Sequence, residues 1–168
     1  MELYFKDKFF NSGISDIMNS DGEVVGNMDL KSAFGSSLDV SNHQRQILCS
    51  GKFRFFSNKW FISDERNGQM GVLRVRLSFL KKRYEYDAGN RGVYEITSPA
   101  FSKEYSIQRS NGEVVASFAR TNSWMQTGAF RLQNDSKELD SYELVAVVMG
   151  VHEIEKRDSH SDSQNNSV

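Results

Sequence analysis

The side chains that could perform catalysis or bind a metal are few and lie far apart in this sequence of 168 residues. The three histidines are His43 in a turn, His152 after an apolar run, and His160 in a polar tail. The stretch HEIEK lacks the second histidine of a zinc-binding H-E-x-x-H motif, because position 156 is lysine. Cys49 lies in QILCSG, which has the pattern of a strand, so we expect a buried, inert thiol. The sequence therefore predicts no enzyme, no cofactor and no metal site.

The clearest functional signal is the basic segment 52–83. It contains nine basic and two acidic residues, a net charge of +7, whereas the rest of the chain, with 12 basic and 20 acidic residues, carries −8. The candidate residues for binding anionic lipid are Lys52, Arg54, Arg74, Arg76, Lys81, Lys82 and Arg83. Guanidinium groups bind phosphate through paired hydrogen bonds, and each basic residue near an anionic membrane contributes about 1 kcal/mol. The alternative is that these charges line a solvated face and keep the protein soluble.

Aromatic residues alternate with these charges in KFRFF and KRYEY. Platforms that stack single-stranded nucleic acid have this composition, but so do strands whose aromatic side chains fill a core. Because Phe53 and Phe55 alternate with Lys52 and Arg54 as in a strand, we predict that both phenylalanines face the core. The formal net charge of −1 also disfavours nucleic acid as a partner.

A mainly β structure must position these side chains. Asp21-Gly22, Asn67-Gly68 and Asn111-Gly112 each supply the positive φ angles of a tight hairpin turn. Their glycines are 46 and 44 residues apart, which indicates a repeated hairpin unit. Between the turns, apolar and polar residues alternate, as in VLRVRLSF, and about twelve short strands are predicted before residue 135. Antiparallel strands of this kind form a barrel or sandwich, and closure removes exposed edges.

An apolar run at 144–151 interrupts a sequence whose mean hydropathy is −0.56. Asp140 and Glu143 before it resemble a capping box, and a helix that is apolar on all sides is normally buried. Its valines would also suit a buried strand; we predict a core helix. The run is too short to span a membrane. Residues 157–168 have the composition of a disordered tail, which leaves a single domain at 1–156.

The order of these elements resembles the LURP-one-related family, within the tubby C-terminal-like and phospholipid scramblase-like superfamily. The resemblance rests on the opening LYFKDKFF, the hairpins WFISDERNG and YSIQRSNG, LSFLKKRYEY, and the closing ELVAVVMGVHEIE, and it covers residues 1 to about 156. It implies a mainly β fold, a closed antiparallel barrel of about twelve strands around a central hydrophobic C-terminal helix. The apolar run would then fill the barrel.

The resemblance implies less about function. Tubby proteins bind phosphoinositides through a basic surface and scramblases act at membranes, whereas LURP-one-related proteins mostly lack an assigned activity. This sequence matches neither the tubby phosphoinositide motif nor the palmitoylated cysteines and spanning segment of scramblases.

Two functions stay open for the chain. One is a non-enzymatic module that binds anionic phospholipid headgroups through the basic segment. The other is a scaffold or regulatory protein that binds a protein partner and has no lipid role. The single cysteine and the charged start MELYFKDKFF, which lacks the apolar core of a signal peptide, predict a cytoplasmic location. Lipid binding would add a peripheral position at the membrane.

Overall fold

The computed structural model describes residues 1–11, 13–31, 37–76, 83–99, 102–122 and 128–165, with side chains described as far as residue 159. The strands are β1 (Glu2–Phe5), β2 (Gly13–Met18), β3 (Val24–Lys31), β4 (Ser37–Asn42), β5 (Ile47–Phe53), β6 (Trp60–Asp64), β7 (Gln69–Arg76), β8 (Arg83–Asp87), β9 (Val93–Thr97), β10 (Tyr105–Arg109), β11 (Val114–Thr121) and β12 (Ala129–Asn134). Short 3-10 helices lie at Asp7–Phe10 and Gly89–Arg91, and α1 spans Ser141–Asn165.

The strands form one closed barrel in which each pairs antiparallel with its neighbours in the chain. The β1 strand closes the barrel against β12, with a register that runs from Glu2 opposite Gln133 to Phe5 opposite Phe130. On its other side β1 meets β2 at a single pair, Tyr4 and Met18. The predicted antiparallel barrel of about twelve strands with a central C-terminal helix is confirmed.

Five turns share one hydrogen-bond pattern, in which the N–H of the first residue donates to the carbonyl of the fifth. They begin at Asn19, Asn42, Asp64, Ala88 and Arg109. The repeat predicted from the glycines lies in these turns. The residues with a positive φ are Gly22, Asn67 and Gly112, and each lies 45 residues from the next. In the second turn the positive φ therefore belongs to Asn67 and not to Gly68. We call this end of the barrel, where α1 begins, the proximal end. The distal end is the opposite one, where α1 leaves the barrel.

The helix α1 occupies the barrel axis, and residues 143–151 are all buried. It packs tightly against the wall at Trp60, whose ring lies between two glycines. A Cβ atom on Gly51 of β5 would lie 2.5 Å from Nε1 of that ring, and one on Gly150 of α1 would lie 2.5 Å from Cδ1. The missing side chains of both glycines therefore make room for the indole between strand and helix.

The first turn of the helix brings a carboxylate, that of Glu143, into the barrel. Asp140 caps α1, because its Oδ1 accepts hydrogen bonds from the N–H of Tyr142 at 2.8 Å and of Glu143 at 3.4 Å. Glu143 is fully buried and does not complete the expected capping box. Its two carboxylate oxygens accept from the Arg91 guanidinium at 2.6 and 2.8 Å, and the Tyr86 hydroxyl donates to it as well. This bidentate pair balances the charge that folding removes from water.

The C-terminal part of α1 differs from the sequence expectation. The structure describes residues 157–165 as helix, within the segment 157–168 that we expected to be disordered. Arg157, the first of these residues, attaches the helix to the barrel wall. Its Nη1 donates to the Ser57 carbonyl at 3.2 Å, and its guanidinium lies 4.3 Å from the centroid of the Phe53 ring. The domain boundary at 156 stays a prediction.

The packing at Gly150 is testable by adding one methyl group. Alanine normally stabilises a helix interior over glycine by about 1 kcal/mol. At this position the new Cβ would overlap the Trp60 ring, so Gly150→Ala should lower the free energy of unfolding by about 1–3 kcal/mol in urea denaturation. Ser159→Ala, on the exposed part of α1, should stay close to wild type. A more stable Gly150→Ala variant would contradict the described packing.

The buried pair makes a second prediction. Arg91→Met leaves the Glu143 carboxylate buried without its cation, and we expect a loss of about 3–5 kcal/mol in the free energy of unfolding. The matched control is Arg83→Met. It removes one member of the exposed pair with Glu95, whose shortest N–O distance is 3.1 Å, and it should change stability by less than about 1 kcal/mol. Equal effects of the two substitutions would show that Glu143 is not held by Arg91.

Candidate functional site

Three of the predicted basic residues lie in ion pairs on the outer face of β7 and β8. Arg74 donates from Nε to Glu85 at 2.8 Å, and Arg76 donates to the same carboxylate at 2.5 Å. Arg83 pairs with Glu95 at 3.1 Å. Burial alone would raise the pKa of Glu85, but the hydrogen bonds from Arg74 and Arg76 outweigh it and hold that pKa below its ordinary value. The two glutamates thus offset much of the positive charge of this wall.

Two more of the basic candidates, Lys52 and Arg54, lie at the turn between β5 and β6. Lys52 is exposed in β5, opposite Phe61 of β6, and the Arg54 guanidinium lies 3.9 Å from the centroid of the Phe61 ring. Lys59, which was not among the candidates, is exposed just before β6. Over the described residues, no carboxylate forms an ion pair with any of these three cations. The candidates Lys81 and Lys82 lie outside the described residues.

Two phenylalanines form the tip of this turn. Phe55 is 89% exposed and Phe56 is 100% exposed, and their rings meet edge to face with centroids 4.6 Å apart. The prediction that Phe55 faces the core is wrong, because β5 ends at Phe53 and its alternation does not continue into the turn. Phe53 is partly buried and packs against Trp60, with ring centroids 5.1 Å apart. We call residues 52–59 the aromatic hairpin.

The aromatic hairpin lies at the distal end and is held by contacts to the barrel and to α1. The Ser57 N–H donates to the Arg54 carbonyl at 3.0 Å and closes the turn. Arg157 of α1 donates to the Ser57 carbonyl on the other side. Arg54 also donates to Gln69 of β7 at 3.4 Å. The tip therefore extends from a base that both strand and helix support.

Charge separates the aromatic hairpin from the proximal end. The hairpin contains three basic residues and no acidic one. The five proximal turns and the connection 135–140 carry more acidic than basic residues. The acidic residues are Asp21, Glu23, Asp64, Glu65, Glu113, Asp135, Glu138 and Asp140, and the basic ones are Arg45, Arg66, Arg91, Arg109 and Lys137. An anionic surface is therefore attracted to the aromatic hairpin more strongly than to the proximal end.

Among the described side chains, His43, His152 and Cys49 do not come together with these residues, and the side chain of His160 lies outside the described part. His43 is exposed in a proximal turn. His152 contacts Phe10, with ring centroids 4.5 Å apart, and burial lowers the pKa of its imidazole to about 4. Cys49 is buried, its Sγ donates to the Tyr142 carbonyl at 3.5 Å, and burial raises the pKa of its thiol. No group of three metal-ligating side chains is found among the described residues.

A surface depression of about 520 Å³ at the proximal end is lined by groups that are already engaged. Asp64 accepts hydrogen bonds from the N–H groups of Arg66 and Gly68 within its own turn, and Asp87 accepts from Gly89. Arg91, on the same wall, is held by Glu143. These side chains build the turns of the barrel, so the aromatic hairpin is the stronger candidate site.

Comparison with known proteins supports the fold. No protein-family model and no curated protein matches the sequence. Among solved structures, the chain is similar to the X-ray structure of a protein from Arabidopsis thaliana, with a TM-score of 0.57 and 10% identity over 90% of both chains. Across the described residues, no helix has the length and hydrophobicity needed to cross a membrane. The likeness supports the fold, a closed antiparallel barrel with a C-terminal helix, and membership of the LURP-one-related family stays a prediction.

Proposed function

We propose that this protein is a non-enzymatic module that binds anionic phospholipid surfaces through the aromatic hairpin. One observation carries the proposal: Lys52, Arg54 and Lys59 surround one turn, and no described carboxylate forms an ion pair with them. A cation without an ion-pair partner can approach a lipid phosphate without first leaving a carboxylate. A membrane position would be peripheral, since the proposal uses only surface side chains.

The three cations set the strength of this binding. At about 1 kcal/mol for each basic residue near an anionic surface, they supply about 3 kcal/mol together. Arg74, Arg76 and Arg83 add less, because Glu85 and Glu95 lie between them and a lipid phosphate would compete with these carboxylates. The attraction is therefore moderate and falls as salt screens it.

The proposal is tested by co-sedimentation with vesicles of phosphatidylcholine, with and without phosphatidylserine, at low and high salt. We expect salt-sensitive binding to the anionic vesicles alone. Replacing Lys52, Arg54 and Lys59 by serine should weaken partitioning by roughly 100-fold, as about 3 kcal/mol implies. Replacing Arg74 and Arg76 by serine should weaken it less.

The control replaces Arg45, Arg66 and Lys137 of the proximal side by serine, which removes the same charge from the opposite end. This variant should keep most of the binding. Equal losses in the two triple variants would show that net charge alone is responsible and would contradict a site at the hairpin. Wild-type protein that binds neither vesicle would remove the lipid function and favour a protein partner.

A further inference from the structure

The two phenylalanines of the aromatic hairpin contribute little to the barrel. Their rings contact each other, and Phe56 has its whole side chain in solvent. Neither phenylalanine is among the described residues that pack on the core, and an exposed aromatic pair of this size is unusual on a protein surface unless something else covers it.

Phe56 also has a backbone conformation that opposes its side chain. Its φ is +57°, in the left-handed region that bulky residues rarely adopt. Gly22 and Gly112 take this conformation in two proximal turns, where glycine meets no steric penalty. Phe56 has this strained backbone conformation although its side chain is fully exposed and gains no packing energy from the barrel. The identity of residue 56 is therefore better explained by a contact outside the barrel than by fold stability.

The surroundings of the tip indicate what that contact is. Both rings are almost fully exposed at the tip of a turn, so they do not enclose a ligand but can enter a soft surface. Arg54 directly precedes them and Lys59 follows three residues after Phe56, so positive charge flanks the apolar tip. Aromatic rings flanked by basic residues match the boundary between anionic headgroups and acyl chains. There the rings can contact the acyl chains while the basic side chains contact the headgroups.

We infer that Phe55 and Phe56 insert into the interfacial zone of an anionic bilayer and direct the distal end of the barrel toward the lipid. This inference rests on the proposed function and deepens it. The cations bring the hairpin to the headgroups, and the rings then bury apolar surface among them. Insertion predicts a part of the binding that salt does not remove, because the burial of apolar surface is not screened.

The test compares two double variants on phosphatidylcholine–phosphatidylserine vesicles. Phe55→Ser with Phe56→Ser should partition at least about tenfold more weakly than wild type and lose the salt-resistant part of the binding. The matched control, Val93→Ser with Val114→Ser, removes exposed apolar side chains at the proximal end and should bind like wild type. Undiminished binding of the phenylalanine variant would overturn insertion. If the Lys52, Arg54 and Lys59 variant still lost binding, the proposed function would stand.

Two further readouts separate insertion from a structural role. Phe56→Gly should relieve the backbone strain, so its melting temperature should not fall although its vesicle binding weakens. On anionic vesicles, the tryptophan fluorescence of the Phe56→Trp variant should shift to the blue and be quenched by lipids brominated on the acyl chain. The Val114→Trp substitution should add neither effect. A melting temperature lowered by several degrees, or a tryptophan at 56 that brominated lipid does not quench, would overturn the inference. Wild-type protein that binds no anionic vesicle would overturn insertion and the proposed function together.

Discussion

The helix inside the barrel is the constraint on which the rest of the structure depends. Residues 143–151 are apolar apart from Glu143 and buried throughout, so α1 needs a wall around its full circumference. A closed barrel supplies that wall without exposed strand edges. The fit requires specific side-chain sizes, as at Trp60 between Gly51 and Gly150. Of the two buried carboxylates of the helix, Glu143 is matched by Arg91 from the barrel rim, and Glu153 forms an ion pair with Lys156.

Filling the axis with a helix determines where a binding surface can lie. The interior is occupied by packed side chains, so recognition must use the outer wall or one of the ends. On the wall, Arg74, Arg76 and Arg83 already pair with glutamates and support neighbouring strands. At the proximal end, the polar groups are used to close turns and to hold α1. The aromatic hairpin at the distal end combines exposed rings with cations that form no ion pair with a carboxylate of the described residues, and for that reason it carries the functional proposal.

Much of the architecture could be predicted from local patterns, and the parts that could not depend on contacts between distant residues. Turn dipeptides and alternation predicted the strands, and the uniformly apolar run predicted a buried helix. The partners of the arginines could not be found by counting charge within 52–83, because strand register brings in Glu85 and Glu95 from beyond that segment. Glu143 resembled a capping residue, and only its position inside the barrel shows that it pairs with Arg91.

The exposed hairpin tip was missed although a signal was present. Adjacent residues of a strand point to opposite faces, so Phe55 and Phe56 could not both have faced the core, and their position directly before Ser57 and Asn58 is typical of a turn. The prediction extended the alternation of Lys52 and Phe53 by two residues and so placed Phe55 in the core instead of in a turn. The positive φ of Phe56 could not be predicted from its residue type, because phenylalanine normally has a negative φ.

We propose that the distal end of the barrel meets an anionic bilayer through the aromatic hairpin. Hydrogen–deuterium exchange of the wild-type protein, with and without phosphatidylserine-containing vesicles, tests it most directly, since exposed backbone amides report where the lipid lies. The account predicts that vesicles slow exchange in peptides covering 52–59 and leave the proximal turns at 19–23 and 109–113 unchanged. Slower exchange at the proximal turns, or no change at 52–59 under conditions where the protein is bound, would contradict it.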